Sequence, residues 1–351
     1  MPCLTFDTNL CTKHIINSVD VFVINVFQVG VSTTCNGRCV YCPLTIYRDK
    51  WVGRFMEFSL FQRVVEEGVG AGVKYVHLQG WGEPLLHPQF LEMLMLARRH
   101  FSVGFTTNGV LLAGSLAKGI VKIGVDILAV TFAGTRAETH NRYRPGNDFN
   151  TILQNLRRLA PLLKASGTRI VAIYMMLGDT YRELPFFVKL AAELGVDEVR
   201  LSNLSYLPHP SLWLLKVFSK IFEPEPPHVL ATIREAKEVA EKSGVKLSHR
   251  RFSPWEHLEC PEAPTSTLYI DADGEVYPCV YLSLPDYAQR CFEEKCKKNP
   301  RLSFGNIREG IRAILKRRRE FVGIFEARKK SDFIPPDPPE PCKKCYRLYW
   351  I

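Results

Sequence analysis

Three cysteines stand close together in the run Cys35-Asn-Gly-Arg-Cys39-Val-Tyr-Cys42. A Cys-x3-Cys-x2-Cys loop supplies three thiolates, so a 4Fe-4S cube held there keeps one iron free of protein ligands and open to a substrate or cofactor. An open iron points to chemistry rather than electron storage alone. The same thiols could instead form a zinc knuckle or lie buried as free cysteines. Zinc needs a fourth ligand, and the nearest histidines, His14 and His77, belong to no compact knuckle.

Four more cysteines, Cys260, Cys279, Cys342 and Cys345, could fill every iron of a second cluster or make a four-cysteine zinc site. Cys291 and Cys296, if they share a helix, stand about 140° apart and cannot jointly grip one metal, so they read as spare thiols. Cys3 and Cys11 have no assigned role.

The elements that must position these thiols follow a βα rhythm. Strand candidates fall at Val21 to Val31, Tyr75 to Gln79, Val103 to Thr107, Ile127 to Phe132, Ile170 to Leu177 and Glu198 to Leu204, each followed by helical periodicity or a long loop. Six such units predict an α/β fold with a partial parallel barrel, whose chemistry gathers where strands end and βα loops begin. Pro208 to Val229 reads as a short apolar helix, a capping element or alternatively a lid, with its apolar residues at 211–222. A further helix over Ala231 to Ser243 stops at Gly244. Thr267 to Ile270 and Glu275 to Val280 flank Asp271-Ala-Asp-Gly274 as a hairpin. The division expected is an arm at 1–19, a barrel at 20–248 and a smaller domain at 249–351.

Polar residues mark the ends of these strands. After the second comes Gln79-Gly80-Trp81-Gly82-Glu83-Pro84, where glycines would admit a ligand close to the backbone and Glu83 could accept from an ammonium. After the third comes Thr106-Thr107-Asn108-Gly109, which is also an ordinary turn sequence. The fourth ends at Thr131-Phe132-Ala133-Gly134, with His140-Asn-Arg-Tyr-Arg144-Pro-Gly146 beyond it.

Taken in order, these motifs resemble those of the radical S-adenosylmethionine (radical SAM) superfamily, including the aromatic Tyr41 before the last cysteine of the triad. The resemblance spans about 185 residues. It implies a partial (β/α)6 TIM-like barrel with Cys35, Cys39 and Cys42 holding a 4Fe-4S cluster. The 80–84 run is similar to the family's Gly-Gly-Glu-Pro segment, so Gly80, Gly82, Glu83 and Pro84 are carried over as SAM contacts and the role of Trp81 is open. Thr107, Asn108, Thr131 and Arg144 are likewise implied contacts, Arg144 for the SAM carboxylate. The implied activity is reductive cleavage of SAM to a 5'-deoxyadenosyl radical that abstracts hydrogen from a substrate. The last cysteines resemble those of twitch or SPASM extensions, which implies a small C-terminal iron-sulfur domain with a second, auxiliary 4Fe-4S cluster on Cys260, Cys279, Cys342 and Cys345, and hence a net oxidation or cross-linking. The chain also looks like archaeal-type SPASM proteins thought to modify peptides or metal-pterin cofactors. A non-catalytic iron-sulfur electron carrier, or a zinc-stabilised binding protein, is the competing reading.

Composition narrows the classes. With 46% hydrophobic residues the 351-residue chain can build a sizeable core. No signal peptide is recognisable, so the eleven cysteines fit metal-bound thiols in a reducing cytoplasm. No run reaches the roughly 18 apolar residues of a membrane span. The net charge of +10 is concentrated in Lys316-Arg317-Arg318-Arg319 and Arg328-Lys329-Lys330, which read as a solvated helix face and give no reason to infer nucleic acid. Little chain precedes Val21 for a cobalamin or leader-peptide domain, which disfavours cobalamin-dependent methylation. The expected partners are a small-molecule, cofactor or peptide substrate and an electron donor such as ferredoxin or flavodoxin.

Overall fold

The computed structural model describes residues 23–351; Cys3, Cys11, His14 and the 1–19 arm lie outside them. Six parallel strands, β1 (Val26–Val29), β2 (Tyr75–Leu78), β3 (Ser102–Thr107), β4 (Ile127–Phe132), β5 (Arg169–Met176) and β6 (Glu198–Asn203), occupy the expected places. They alternate with helices α1 (Pro43–Ile46), α2 (Phe58–Gly70), α3 (Phe90–Arg98), α4 (Gly114–Ile123), α5 (Ala137–Tyr143), α6 (Phe149–Ala165) and α7 (Leu184–Glu193). Strands three to five are buried along nearly their whole length. A parallel sheet covered on both faces selects such unbroken apolar runs. The helices each turn one apolar stripe inward; α6 buries Ile152, Leu156, Leu159 and Leu163, and starts where the Asp148 side chain accepts from the amide of Thr151 at 2.8 Å.

The sheet is larger than six strands. Helix α8 (Pro227–Ser243) ends at Gly244 in the left-handed conformation, as expected, and leads to β7 (Lys246–Ser248), which adds to β6. At the other edge β8 (Thr267–Ile270) pairs parallel with β1, then turns through Gly274 into β9 (Val276–Tyr277). The nine strands run in the order β7-β6-β5-β4-β3-β2-β1-β8-β9. The C-terminal segment is thus joined to the barrel by backbone hydrogen bonds.

Three expectations need correction. The apolar segment after β6 is a six-residue 3-10 turn, Pro210–Leu215, and not an α-helix. Its carbonyl at Leu215 accepts from Gly178, Phe218 packs on Tyr346, and Leu214 is left 86% exposed. Prolines at 208, 210, 224 and 226 break the helical hydrogen bonding that its hydrophobic content implied. Cys291 and Cys296 are not on a helix. They face each other in the antiparallel hairpin of β10 (Gln289–Phe292) and β11 (Lys295–Lys298) and form a disulfide. Nor are the basic runs of α9 (Ile311–Arg317) and α10 (Arg319–Lys329) simply solvated. Arg318, between the helices, is buried and donates to the carbonyls of Pro264 and Thr265; Arg328 is buried and bonded to Glu256, His257 and Pro336. Each satisfies carbonyls that the loops around Cys260 would otherwise bury unpaired.

Candidate active site

The cysteine loop leaves the carboxyl end of β1 and is strapped on two sides. Toward β2, the amides of Gly82 and Glu83 donate to the carbonyls of Ser32 (3.1 Å) and Thr34 (2.8 Å). A Cβ on Gly82 would lie 2.4 Å from Ser32 O, and one on Gly80 would lie 2.7 Å from the Cα of Gly30. These glycines are therefore required where one backbone crosses another. Toward α5, the amides of Arg38 and Val40 donate to the carbonyls of Pro145 and Tyr143, and Gly146, at φ +82°, lies against Asn36 O.

Amide donors converge on the thiols. Gly37 N–H donates to Cys35 Sγ at 3.3 Å and Asn147 Nδ2 donates to Cys39 Sγ at 3.4 Å. Burial pushes the Cys35 thiol up to about 12, helped by the neighbouring Glu83 charge, and the Cys42 thiol up to about 11. As thiolates they need a compensating cation.

Glu83 locks the second and third motifs together. One carboxylate oxygen accepts from Thr107 Oγ1 (2.7 Å) and Leu85 N (3.2 Å), the other from Asn108 N (2.8 Å). Burial nonetheless raises its carboxyl to about 7. A ligand ammonium placed beside it would draw it to the carboxylate. Asn108 reaches on to Asn36 Oδ1 at 2.8 Å, so the unit stands directly behind the cysteine loop. Pro84 opens the short turn that follows Glu83 and is buried.

On the opposite side Arg144 is fully enclosed. It donates to Tyr41 Oη at 3.1 Å and to Thr131 Oγ1, while its Nε has no partner. Thr131, Arg144, Cys39 and Cys42 line one pocket, together with Met175 at the end of β5, Asn203 to Tyr206 at and beyond the end of β6, Trp81 and Tyr281. The structure therefore brings every barrel residue singled out in the sequence to one end of the sheet. Sequence reasoning missed Asn36, Asn147, Met175, Asn203, Ser205, Tyr206 and Tyr281. Their positions at strand ends could have pointed to Met175 and Asn203. Tyr281 comes from beyond the C-terminal hairpin and gives no such signal. Trp81 gains a role: its indole donates to Val280 O and Ser283 Oγ (3.2 Å each), pinning the β2 turn to the C-terminal segment.

A second cavity is lined by Cys260, Cys279, Cys342 and Cys345 and shares Tyr281 with the first. Burial drives the Cys260, Cys279 and Cys342 thiols well above their ordinary range, and the negative charge of each thiolate disfavours the others. Among the described residues no three Cys, His, Asp or Glu side chains close on a single ion. Four thiols lining one pocket are the ligand chemistry that an iron-sulfur group takes.

The family models coincide with these two sites. One, the radical SAM superfamily, matches residues 29–191, and the other, the SPASM iron-sulfur cluster-binding domain, matches residues 260–346. The chain belongs to the radical SAM superfamily. The tungsten-containing aldehyde ferredoxin oxidoreductase cofactor-modifying protein of Pyrococcus furiosus is 25% identical over 287 residues, 80% of this chain and 77% of that protein. The PqqA peptide cyclase of Gluconobacter oxydans is 22% identical over 321 residues, covering 89% and 80% of the two chains. A solved structure of native anSMEcpe with bound AdoMet superposes with a TM-score of 0.60 at 18% identity, over 92% of this chain and 88% of that one, which establishes the shared fold. This radical SAM protein is accordingly an enzyme that binds SAM and iron-sulfur and acts by radical chemistry, which sets aside the non-catalytic carrier and the zinc-stabilised binding protein. No helix among the described residues is long and apolar enough to cross a membrane.

Proposed function

We propose that this enzyme catalyses a net two-electron oxidation or cross-linking of an organic substrate, using one 4Fe-4S cluster on Cys35, Cys39 and Cys42 and an auxiliary 4Fe-4S cluster on Cys260, Cys279, Cys342 and Cys345. The observation that carries this reading is the adjacency of the two cysteine-lined cavities across Tyr281. When bound, the first cluster and SAM supply one-electron cleavage and hydrogen-atom abstraction, and the auxiliary cluster accepts the electron left after the substrate also loses a proton.

The chain's own residues hold and shield the reactants. Glu83, buffered by Thr107 and Asn108, receives the SAM ammonium, with Gly80, Gly82 and Pro84 fixing the turn. Arg144, aimed by Tyr41 and Thr131, receives the carboxylate through its unpaired N–H. Trp81, Tyr206 and Tyr281 wall the substrate space and exclude water; Asn203 Oδ1, buried without a partner, offers an acceptor to orient the substrate. A peptide or an enzyme cofactor is the substrate class, in keeping with what the two relatives' names say they act on. A ferredoxin- or flavodoxin-type donor in a reducing cytoplasm would supply the first electron, and the segment at 249–351 forms the auxiliary domain beside the barrel at 20–248.

The test is anaerobic reconstitution followed by iron and sulfide counting and electron paramagnetic resonance with and without SAM. Two clusters are expected, one of them with a signal altered by SAM. Candidate substrates should be released with two fewer hydrogens. A product carrying an added methyl or deoxyadenosyl group, with no oxidation, overturns the proposed outcome.

A further inference from the structure

Three buried charged side chains line the second cavity beside its four thiols. Glu262 and Arg347 follow Cys260 and Cys345 by two residues each and form an ion pair, Arg347 Nε to Glu262 Oε1 at 2.6 Å, with 3% of the arginine and 1% of the glutamate side chain exposed. Arg347 Nη1 donates to Ile351 O at 2.7 Å, but Nη2 is buried with no partner. Arg290 arrives separately, on β10. Its Nη2 donates to Pro341 O at 2.7 Å, and its Nη1 is likewise buried without a partner. Charged N–H groups left without acceptors are costly to bury, and here two of them, from unrelated parts of the chain, border one cysteine-lined cavity.

We propose that Arg290 and Arg347 are positioning residues that donate hydrogen bonds to the sulfurs of the auxiliary cluster and raise its reduction potential, while Glu262 orients Arg347 and offsets part of its charge. This rests on the reading that the four cysteines hold a cluster. A cluster that takes up one electron gains a negative charge, which buried guanidinium groups stabilise in the reduced state; N–H···S bonds act in the same direction. Arg250, whose charge acts on Arg347 and Cys260, adds to the positive surroundings. The surroundings thus suit a site that receives an electron, and no bond in the protein changes when it does so.

The two signs of charge give the test. In the reconstituted full-length protein, Arg290→Gln should lower the auxiliary midpoint potential and Glu262→Gln should raise it, measured by redox titration followed by electron paramagnetic resonance. Each shift should be at least tenfold in the reduction equilibrium, about 59 mV for one electron. Arg290→Lys, which keeps the charge, should recover most of the loss; if Arg290→Gln does not hold its iron, Arg347→Gln takes its place in the comparison, with the same lowering expected. A merely structural role would cost iron in both variants without moving the midpoint in opposite directions. Midpoints unchanged at full iron content, or shifted the same way, overturn the inference while leaving the cluster in place. If wild type binds a single cluster, and a Cys260→Ala, Cys342→Ala variant matches its iron content, the auxiliary-cluster reading itself fails.

Discussion

Gly82→Ala is expected to unseat the cysteine loop. The added Cβ would sit 2.4 Å from Ser32 O and 2.6 Å from Thr34 O, about 1 Å inside ordinary contact. Both neighbours are backbone atoms and cannot rotate away. A retreat of about that size breaks the hydrogen bonds from Gly82 N to Ser32 O and from Glu83 N to Thr34 O. Losing two buried backbone bonds, at about 1 kcal/mol each with further cost for groups left unsatisfied, totals about 2–4 kcal/mol. The same movement draws Glu83 away from Thr107 and Asn108, so SAM binding should weaken together with stability. Gly70→Ala is the control, because a Cβ there meets nothing within 4 Å and α2 is helical at that point; it should be neutral or stabilising by up to about 1 kcal/mol. Urea unfolding followed by far-ultraviolet circular dichroism, with iron counting on the same samples, measures both. If Gly82→Ala unfolds at the same urea concentration as Gly70→Ala and keeps its iron, the crossing of backbones is not what the glycine serves.

Three further outcomes are expected. Arg318→Ala strands the carbonyls of Pro264 and Thr265 and should cost about 2–4 kcal/mol in urea unfolding, whereas the exposed Lys316→Ala in the same basic run should stay within about 0.5 kcal/mol. Burial raises the Asp271 carboxyl to about 6 even though Asp273 N, Glu275 N and Tyr277 Oη donate to it. Because its folded value lies above the unfolded one, its contribution is present at low pH and is lost as pH rises from about 4 to about 6. That is roughly 2 kcal/mol once its partial exposure is discounted, and Asp271→Asn should flatten that part of the pH profile of the urea midpoint. Arg144→Lys cannot span Tyr41 and Thr131 with one ammonium, so SAM affinity measured by equilibrium dialysis at matched iron content should fall at least tenfold; an unchanged affinity removes Arg144 from the SAM site.

The barrel was legible because burial on both faces leaves strands as continuous β-branched and aromatic runs; Ile127–Phe132 needs no neighbour to be read as a strand. The cysteine spacing and the Gly82-Glu83-Pro84 turn were legible for a local reason too, since each acts within a few residues. What escaped depends on partners far along the chain. Arg318 looks solvated in isolation, as most arginines are, and only the carbonyls at 264 and 265 draw it inward. The Cys291 hairpin turns at Glu293 and Glu294, with Glu293 at φ +49°, so none of the glycine or asparagine that announces a tight turn is there. Tyr281 could not be placed at the active site before its hairpin had been placed against β1.

The pairing of β8 with β1 joins residues about 240 apart, which makes the edge of the barrel nearest the cysteine loop a late product of folding. During synthesis that edge stays bare until the final third of the polypeptide has emerged. Cutting the protein near residue 250 would not liberate a self-sufficient barrel. It would leave the unpaired amides and carbonyls of β1 facing water, a template for strand exchange between molecules, and metal loading of the first cysteines would then compete with aggregation.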